Sequence, residues 1–208
     1  MRDESKKPKR RGPSPTLLIL GLSVVVLGGA LAGWRAYGPY PSYSIPSGSM
    51  VPTLHPGDYI IAHGARGLCD PPELRAGQVV LSREKGVTFV RRLIAGPGQT
   101  VRLQEGRLWI DAVPVKTEAA GSSPEGRLLR ETLANGASYL TQDMTDRGVL
   151  DDTAPVTVPA GHWFLLGDNR DNSLDSRVNG PVPTSAICAQ AIKIIKSRDK
   201  DAIGRRLD

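Results

Sequence analysis

Cysteine and histidine are scarce in this chain, and an excess of one charge sign is confined to one end. Two cysteines in 208 residues exclude a small disulfide-stapled scaffold and a cysteine-built zinc site, and three scattered histidines make no ligand cluster. No glycine-rich loop suited to cradling phosphate occurs, so no nucleotide, metal or other cofactor is expected. The formal net charge is +6. Residues 1–16 hold six basic side chains (Arg2, Lys6, Lys7, Lys9, Arg10, Arg11) and two acidic ones (Asp3, Glu4), whereas the other 192 residues hold 21 basic and 19 acidic. The body is close to neutral, which removes nucleic-acid binding as a leading function.

What the chain has is one apolar run and many chain breakers. Leu17 to Trp34 are 18 residues without a charge, about 27 Å as a helix and enough for a bilayer core. The basic cluster Lys6–Arg11 precedes the run, and Trp34, Tyr37, Tyr40 and Tyr43 follow it. Basic flanks stay inside and aromatic belts sit at the interface. The pattern predicts a disordered basic cytoplasmic tail (1–14), a transmembrane anchor (15–36) and an external domain (37–208) beyond the cytoplasmic (inner) membrane. A cleavable signal peptide is the alternative, because Ala30-Leu31-Ala32 has small-x-small form.

Gly and Pro together supply 40 of the 208 residues, which disfavours a helical bundle and favours short strands with many turns. Period-two alternation predicts strands at Asp58–His63, Gln78–Arg83, Val87–Ile94, Thr100–Gln104, Arg107–Val115, Arg127–Leu133, Ala137–Gln142, His162–Leu166 and Ala186–Ile195. Turn signals separate them, with Asn135-Gly136 the strongest type I′ hairpin signal. Segments 116–126 and 143–155 look like loops, and about 116–160 looks like an inserted part. The expected fold class is all-β, mostly antiparallel, with one N-terminal transmembrane helix.

Three stretches depart from what packing requires. Ile45-Pro46-Ser47-Gly48-Ser49-Met50-Val51-Pro52-Thr53-Leu54 sets two serines around a glycine between prolines. Such a turn presents a hydroxyl beside backbone N–H groups, as a serine nucleophile with an oxyanion hole requires; an ordinary Ser/Gly/Pro loop is the plain alternative. Gly167-Asp168-Asn169-Arg170-Asp171-Asn172-Ser173-Leu174-Asp175-Ser176-Arg177 interleaves two arginines with three aspartates, which suggests a fixed ion-pair network; a self-bonded structural loop is the alternative. A calcium loop fits poorly, since the terminal Glu is missing and Arg170 repels the ion. In Thr88–Gly98, alternation puts Phe89, Arg91 and Leu93 on one face and Val90, Arg92 and Ile94 on the other. Both faces carry apolar residues, so at least one arginine must reach a buried site or a cleft wall, unless each snorkels to solvent or pairs with a loop carboxylate.

In this order the three stretches resemble the bacterial type I signal peptidases, over about residues 15–196. The resemblance rests on PSGSMVPTL, FVRRLIAGPGQ and GDNRDNSLDSR. It implies that Ser49 attacks the scissile carbonyl and that the Ser47 hydroxyl and the Ser49 N–H hold the oxyanion. It further implies that Ser173 orients the general base and that Asp175 and Arg177 brace the site. Ile45, Pro46, Met50, Leu54, Phe89 and Val90 would line a pocket for the P1 alanine, and Tyr43, Ile45, Ile60 and Val90 the P3 pocket. The substrate would lie extended beside residues 43–46 and 87–91, as an added strand. The implied partners are signal peptides of exported preproteins and the lipid bilayer.

One position departs from the family's pattern. Its general base is a lysine, and Arg91 occupies that place. A buried lysine sheds its proton near pH ~7–8, whereas a guanidinium is too basic to do so. Lys85 is six residues upstream in a turn, His63 and His162 lie in no matching box, and His55, six residues beyond Ser49, is a remote candidate. Two functions follow: a serine endopeptidase that removes signal peptides after small-x-small motifs, or an impaired relative that docks exported or pilin-like proteins. In an oxidising space Cys69 and Cys188 either bridge or remain separate small apolar residues.

Overall fold

Alternation and glycine-marked turns become strands almost residue for residue. The computed structural model describes residues 40–64, 69, 73–145 and 147–207. The expected tail (1–14) and anchor (15–36) lie outside the described residues, and among the described residues no helix is long and apolar enough to cross a membrane.

Among the described residues there are fourteen strands, all paired antiparallel, and one α-helical turn, α1 (Ser176–Asn179). The strands in chain order are β1 (Ser42–Ser44), β2 (Tyr59–His63), β3 (Val79–Glu84), β4 (Val87–Ala95), β5 (Thr100–Gln104), β6 (Arg107–Ile110) and β7 (Val113–Pro114). They continue with β8 (Lys116–Ser123), β9 (Gly126–Thr132), β10 (Ser138–Asp143), β11 (Val156–Thr157), β12 (His162–Leu166), β13 (Val182–Pro183) and β14 (Ile187–Lys196). A seven-stranded sheet runs β1-β2-β14-β3-β4-β12-β13; β11-β5-β6-β7 and β10-β9-β8 make two smaller sheets.

The differences from the expected strands have local causes. Arg107–Val115 is not one strand, because Asp111 and Ala112 both take positive φ (52° and 64°) and turn β6 back into β7. Segment 116–126 is not a loop: β8 pairs with β9 from Lys116↔Thr132 to Ser123↔Gly126. Its residues are mostly exposed, so main-chain pairing rather than apolar alternation makes it a strand, which is why no period-two signal marks it. Asn135-Gly136 does not form a type I′ turn, since only Gly136 has positive φ (87°). Asn135 instead donates through Nδ2 to the Ala76 carbonyl (2.8 Å), and its Oδ1 accepts from Ala137 N–H (3.1 Å). The short strands β1, β11 and β13 carry too few residues for alternation to register.

β4 distributes its side chains among three cores. Val90 packs against a cluster containing Ile45, Met50, Leu54, Ile60 and Leu81; Leu93 joins Val80, Leu165, Val182 and Ile187; Ile94 joins Leu103, Leu108, Phe164 and Leu166. Each fully buried Leu, Ile or Phe contributes about 1.5–3 kcal/mol relative to exposure. Cys69 and Cys188 are joined as a disulfide across 119 residues of sequence, which ties the segment after β2 to β14.

The segment between β12 and α1, residues 167–175, is held by three buried ion pairs. Arg92 on β4 grips Asp168 with two bonds, Nε to Oδ1 at 2.8 Å and Nη2 to Oδ2 at 2.6 Å. Its Nη1 donates to the Gly77 carbonyl (2.7 Å), and its guanidinium lies 4.3 Å over the Tyr139 ring. Burial works against the Arg92 charge, but Asp168 more than restores it, so the pKa stands above the ordinary arginine value. Arg170 donates to Glu131 of β9 (2.6 Å) and to the Gly167 carbonyl (3.2 Å). The Tyr139 hydroxyl donates to the same Glu131 oxygen (2.9 Å), and burial, then the Glu131 charge, push that phenol well above its usual pKa. Arg177 and Asp175 form the third pair, both side chains fully buried.

Two outcomes follow from this packing. Asp168→Asn leaves the Arg92 charge buried without its counter-charge, and chemical denaturation of the variant should show a loss of about 3–5 kcal/mol. The disulfide should give a mobility shift between reducing and non-reducing gels that vanishes in Cys69→Ser; identical mobility would contradict the bridge.

Candidate active site

Ser49 sits in the tight turn between β1 and β2. The turn closes through Val51 N–H to the Gly48 carbonyl (3.2 Å) and Leu54 N–H to the Met50 carbonyl (2.9 Å). Met50 and Leu54 are buried in the first core cluster, so apolar packing fixes the turn from below. Ser49 is left half-buried and Ser47 exposed above it, their hydroxyl oxygens 3.3 Å apart.

The 167–177 segment closes over the back of this turn. Asn169 N–H donates to the Ser49 carbonyl (3.0 Å), and Asn169 Nδ2 donates to the Gly48 carbonyl (3.2 Å). Thr53 on the same turn donates through Oγ1 to Asp168 Oδ2 (2.5 Å). Gly167 is where the two segments come closest. A Cβ there would lie 2.2 Å from Ser173 Oγ and 2.6 Å from the Ser49 carbonyl oxygen, so no larger residue fits. The Ser173 hydroxyl oxygen is buried with no hydrogen-bond partner.

Asp175 locks the far end of the segment. As N-cap of α1, its Oδ1 accepts from Arg177 N–H (3.2 Å) and Arg177 Nε (2.9 Å). Its Oδ2 accepts from Arg177 Nη2 (2.8 Å) and from Gly167 N–H (3.1 Å). Arg177 Nη2 also donates to the Arg170 carbonyl (2.7 Å). The segment therefore has little freedom, and Ser173 is presented from a fixed frame.

Both arginines of β4 are buried. Arg91 lies on the opposite face of the strand from Arg92, with its guanidinium 4.2 Å over the Phe89 ring. Its Nη1 donates to Glu84 Oε1 (2.5 Å) and its Nη2 to the Leu174 carbonyl (2.7 Å), one residue from Ser173. Ser82 Oγ donates to the same Glu84 oxygen (2.7 Å).

Tyr43, Ile45, Met50, Leu54, Ile60 and Val90 come together in one apolar cluster beside the Ser49 turn. Pro46 is exposed at its rim, and Phe89 lies under the Arg91 guanidinium instead of in that cluster. Lys85 is exposed in the β3–β4 turn at φ 49°. Two of the histidine rings are engaged elsewhere: the His63 ring meets Tyr40 edge-on, and His162 Nδ1 is 3.0 Å from the Ala160 carbonyl, while the His55 side chain is exposed and its backbone N–H donates to Asp58 (2.9 Å). Among the described residues no group of three or more His, Cys, Asp or Glu is placed to hold a metal ion.

Sequence reading did not single out Glu84, Glu131 or Tyr139, and it named Thr53, Gly167, Asp168 and Asn169 only as members of their motifs. For Glu84 a signal existed. The Lys85-Gly86 turn fixes the hairpin register at Glu84↔Val87, which puts Glu84 on the face of Phe89 and Arg91. Glu131 and Tyr139 had none, because they arrive from a separate hairpin.

The comparisons with known proteins fall on the same segments. A sequence model described as signal peptidase, peptidase S26, matches residues 17–195. The chain is 35% identical to signal peptidase I of Pseudomonas aeruginosa over 156 residues, covering 65% of this chain and 54% of that protein. It is 31% identical to signal peptidase I of Rickettsia canadensis over 185 residues, 72% of this chain and 69% of that protein. A probable signal peptidase I-1 of Synechocystis is 31% identical over 162 residues, 73% of this chain and 68% of that protein. The chain thus spans about half the length of the Pseudomonas relative and about two thirds of the other two. With the match reaching from residue 17 through the Ser49 turn, β4 and the braced 167–177 segment, the chain belongs to the signal peptidase family, peptidase S26.

Proposed function

We propose that this protein is a membrane-anchored serine endopeptidase that removes N-terminal signal peptides from exported preproteins after small-x-small motifs. The observation that carries the reading is the Ser49 turn, backed by the ion-paired 167–177 segment with the Ser173 hydroxyl held unpartnered beside it. An external location and a cytoplasmic-membrane anchor are supported by the uncharged run Leu17–Trp34 behind its basic leader, and by a family match that begins at residue 17.

In this mechanism the Ser49 Oγ bonds to the scissile carbonyl carbon while its proton leaves. The Ser47 hydroxyl and the Ser49 N–H donate to the oxygen on which charge develops. The C–N bond then breaks, the departing amine takes a proton from water, and a second water hydrolyses the ester on Ser49. Asp175 and Arg177 hold Ser173 still, which keeps the reacting geometry pre-organised. The family's lysine acceptor is replaced. Arg91 stands in the family's lysine place, and a guanidinium holding a carboxylate and a carbonyl accepts nothing. The proton is therefore taken by solvent hydroxide, which becomes water.

The substrate has two strand edges to use. β1 ends the seven-stranded sheet, and β12 pairs with β4 only at Arg92–Ala95, leaving 87–91 without a partner on that side among the described residues. An extended peptide bonding to residues 43–46 and 87–91 would put small side chains against Ile45, Met50, Leu54 and Val90, and a larger one would meet their walls.

The test is cleavage of a preprotein ending in Ala-x-Ala by detergent-purified protein. Ser49→Ala should lower kcat/KM by about 10³-fold or more. Uncleaved substrate with the wild type, despite binding of the signal peptide, would favour the docking reading instead. Gly167→Ala should also abolish cleavage, because its methyl group would enter the space between Ser173 Oγ and the Ser49 carbonyl. Wild-type rates in that variant would contradict the close approach.

A further inference from the structure

Arg91 is not simply a lost lysine; its surroundings match a guanidinium. It is 2% exposed, and the side chain of Glu84 is 20% exposed. The carboxylate comes from the turn end of the β3–β4 hairpin, where the register Glu84↔Val87 and Ser82↔Phe89 lines Ser82, Glu84, Phe89 and Arg91 on one face. The guanidinium lies along the strand over Phe89, and its fork reaches two acceptors on different elements, Glu84 and the Leu174 carbonyl. Ser82 Oγ supplies a second donor to the same Glu84 oxygen and fixes the carboxylate. A single ammonium is a point donor and does not reproduce this planar, two-ended brace.

We propose that Glu84 is a positioning residue that governs the cation at position 91: its carboxylate holds the Arg91 guanidinium against the Leu174 carbonyl, and through it sets Ser173 against the Ser49 turn. The proposal rests on the peptidase reading for its consequence in catalysis, but the pairing itself is testable without cleavage.

The charged groups around position 91 make the consequence specific. From β3 the charge is Glu84. From β12 and β14 the same face offers Leu165 and Ile187 of the third core cluster. From the 167–177 segment comes the Leu174 carbonyl, while Asp175, next in the chain, is turned to Arg177 and Gly167. A carboxylate beside an amine favours its charged form, whereas apolar burial favours the neutral form. With Glu84 present, Arg91→Lys therefore yields a paired ammonium that keeps its proton. With Glu84→Gln added, the amine is buried without a counter-charge and becomes a base.

The experiment compares wild type, Glu84→Gln, Arg91→Lys and the double variant, with two readouts on folded protein. The first is kcat and KM on an Ala-x-Ala preprotein from about pH 6 to about pH 10. Glu84→Gln should lower kcat about tenfold with little change in KM, as a positioning role requires. The double variant should exceed Arg91→Lys at least about tenfold near neutral pH, with its rate levelling at lower pH. The second readout is the pH dependence of acylation of the introduced amine, followed by mass spectrometry. Its midpoint should fall by at least about one unit when Glu84→Gln is added. Equal midpoints overturn the proposal, as do equal, measurable rates and equal pH profiles for the single and double lysine variants. If no variant cleaves but the midpoint shifts, the pairing stands and the peptidase reading falls. The comparison between the lysine variants holds even where Glu84→Gln alone fails to fold, because neither leaves a guanidinium unpaired.

Discussion

The bidentate pair between Arg92 and Asp168 is the constraint on which the rest of the site depends. One carboxylate is shared by β4, by Thr53 of the serine turn and by the start of the 167–177 segment. Each of those three elements comes from a different part of the chain, and each carries one of the candidate site residues, Arg91, Ser49 and Ser173. The pair is buried, so its strength owes little to solvent or salt, and breaking it from either side strands a charge. A purely apolar contact here would fill space without fixing register. Two bonds from a planar guanidinium fix position and orientation together.

Two neighbouring arginines on β4 illustrate how a strand separates roles. Alternation sends Arg92 toward Asp168 and Tyr139, where it holds the framework. The same alternation sends Arg91 to the other face, toward Glu84 and the carbonyl beside Ser173. Both are buried and both are paired with carboxylates, yet only Arg91 occupies the place at which the family's pattern asks for a base. The guanidinium adds a brace through the Leu174 carbonyl to the frame that Arg92, Asp175 and Arg177 hold. The chain can therefore belong securely to its family while the proton-transfer step differs.

Strand positions were legible because alternation and glycine turns are local. Thr100–Gln104 and His162–Leu166 are read at their true bounds, and six more strands within two residues at either end. β8 was not legible, since a solvent-exposed strand owes its existence to a neighbour's backbone. The Asn135-Gly136 turn misled for a related reason: Asn135 spends its side chain on Ala76, a contact that sequence spacing does not reveal. Of the site residues, Ser47, Ser49, Arg91, Ser173, Asp175 and Arg177 lie in motifs that a reader meets in order. Asp168 and Asn169 lay within the same motif, but their partners are more than a hundred residues away in Thr53 and Gly48. The pairing of Arg170 with Glu131 belongs to tertiary structure alone.

The central claim is that Ser49 works in a rigid frame with no titrating side chain as its base. A serine that gives its proton to solvent depends on hydroxide, whereas a side-chain base saturates once it is deprotonated. The decisive measurement is kcat/KM of the wild-type protein on an Ala-x-Ala preprotein across about three pH units above neutrality. The account predicts a rise of about tenfold per pH unit with no plateau. A sigmoidal profile that levels near pH ~8 would reveal a titrating base at Ser49 and contradict it.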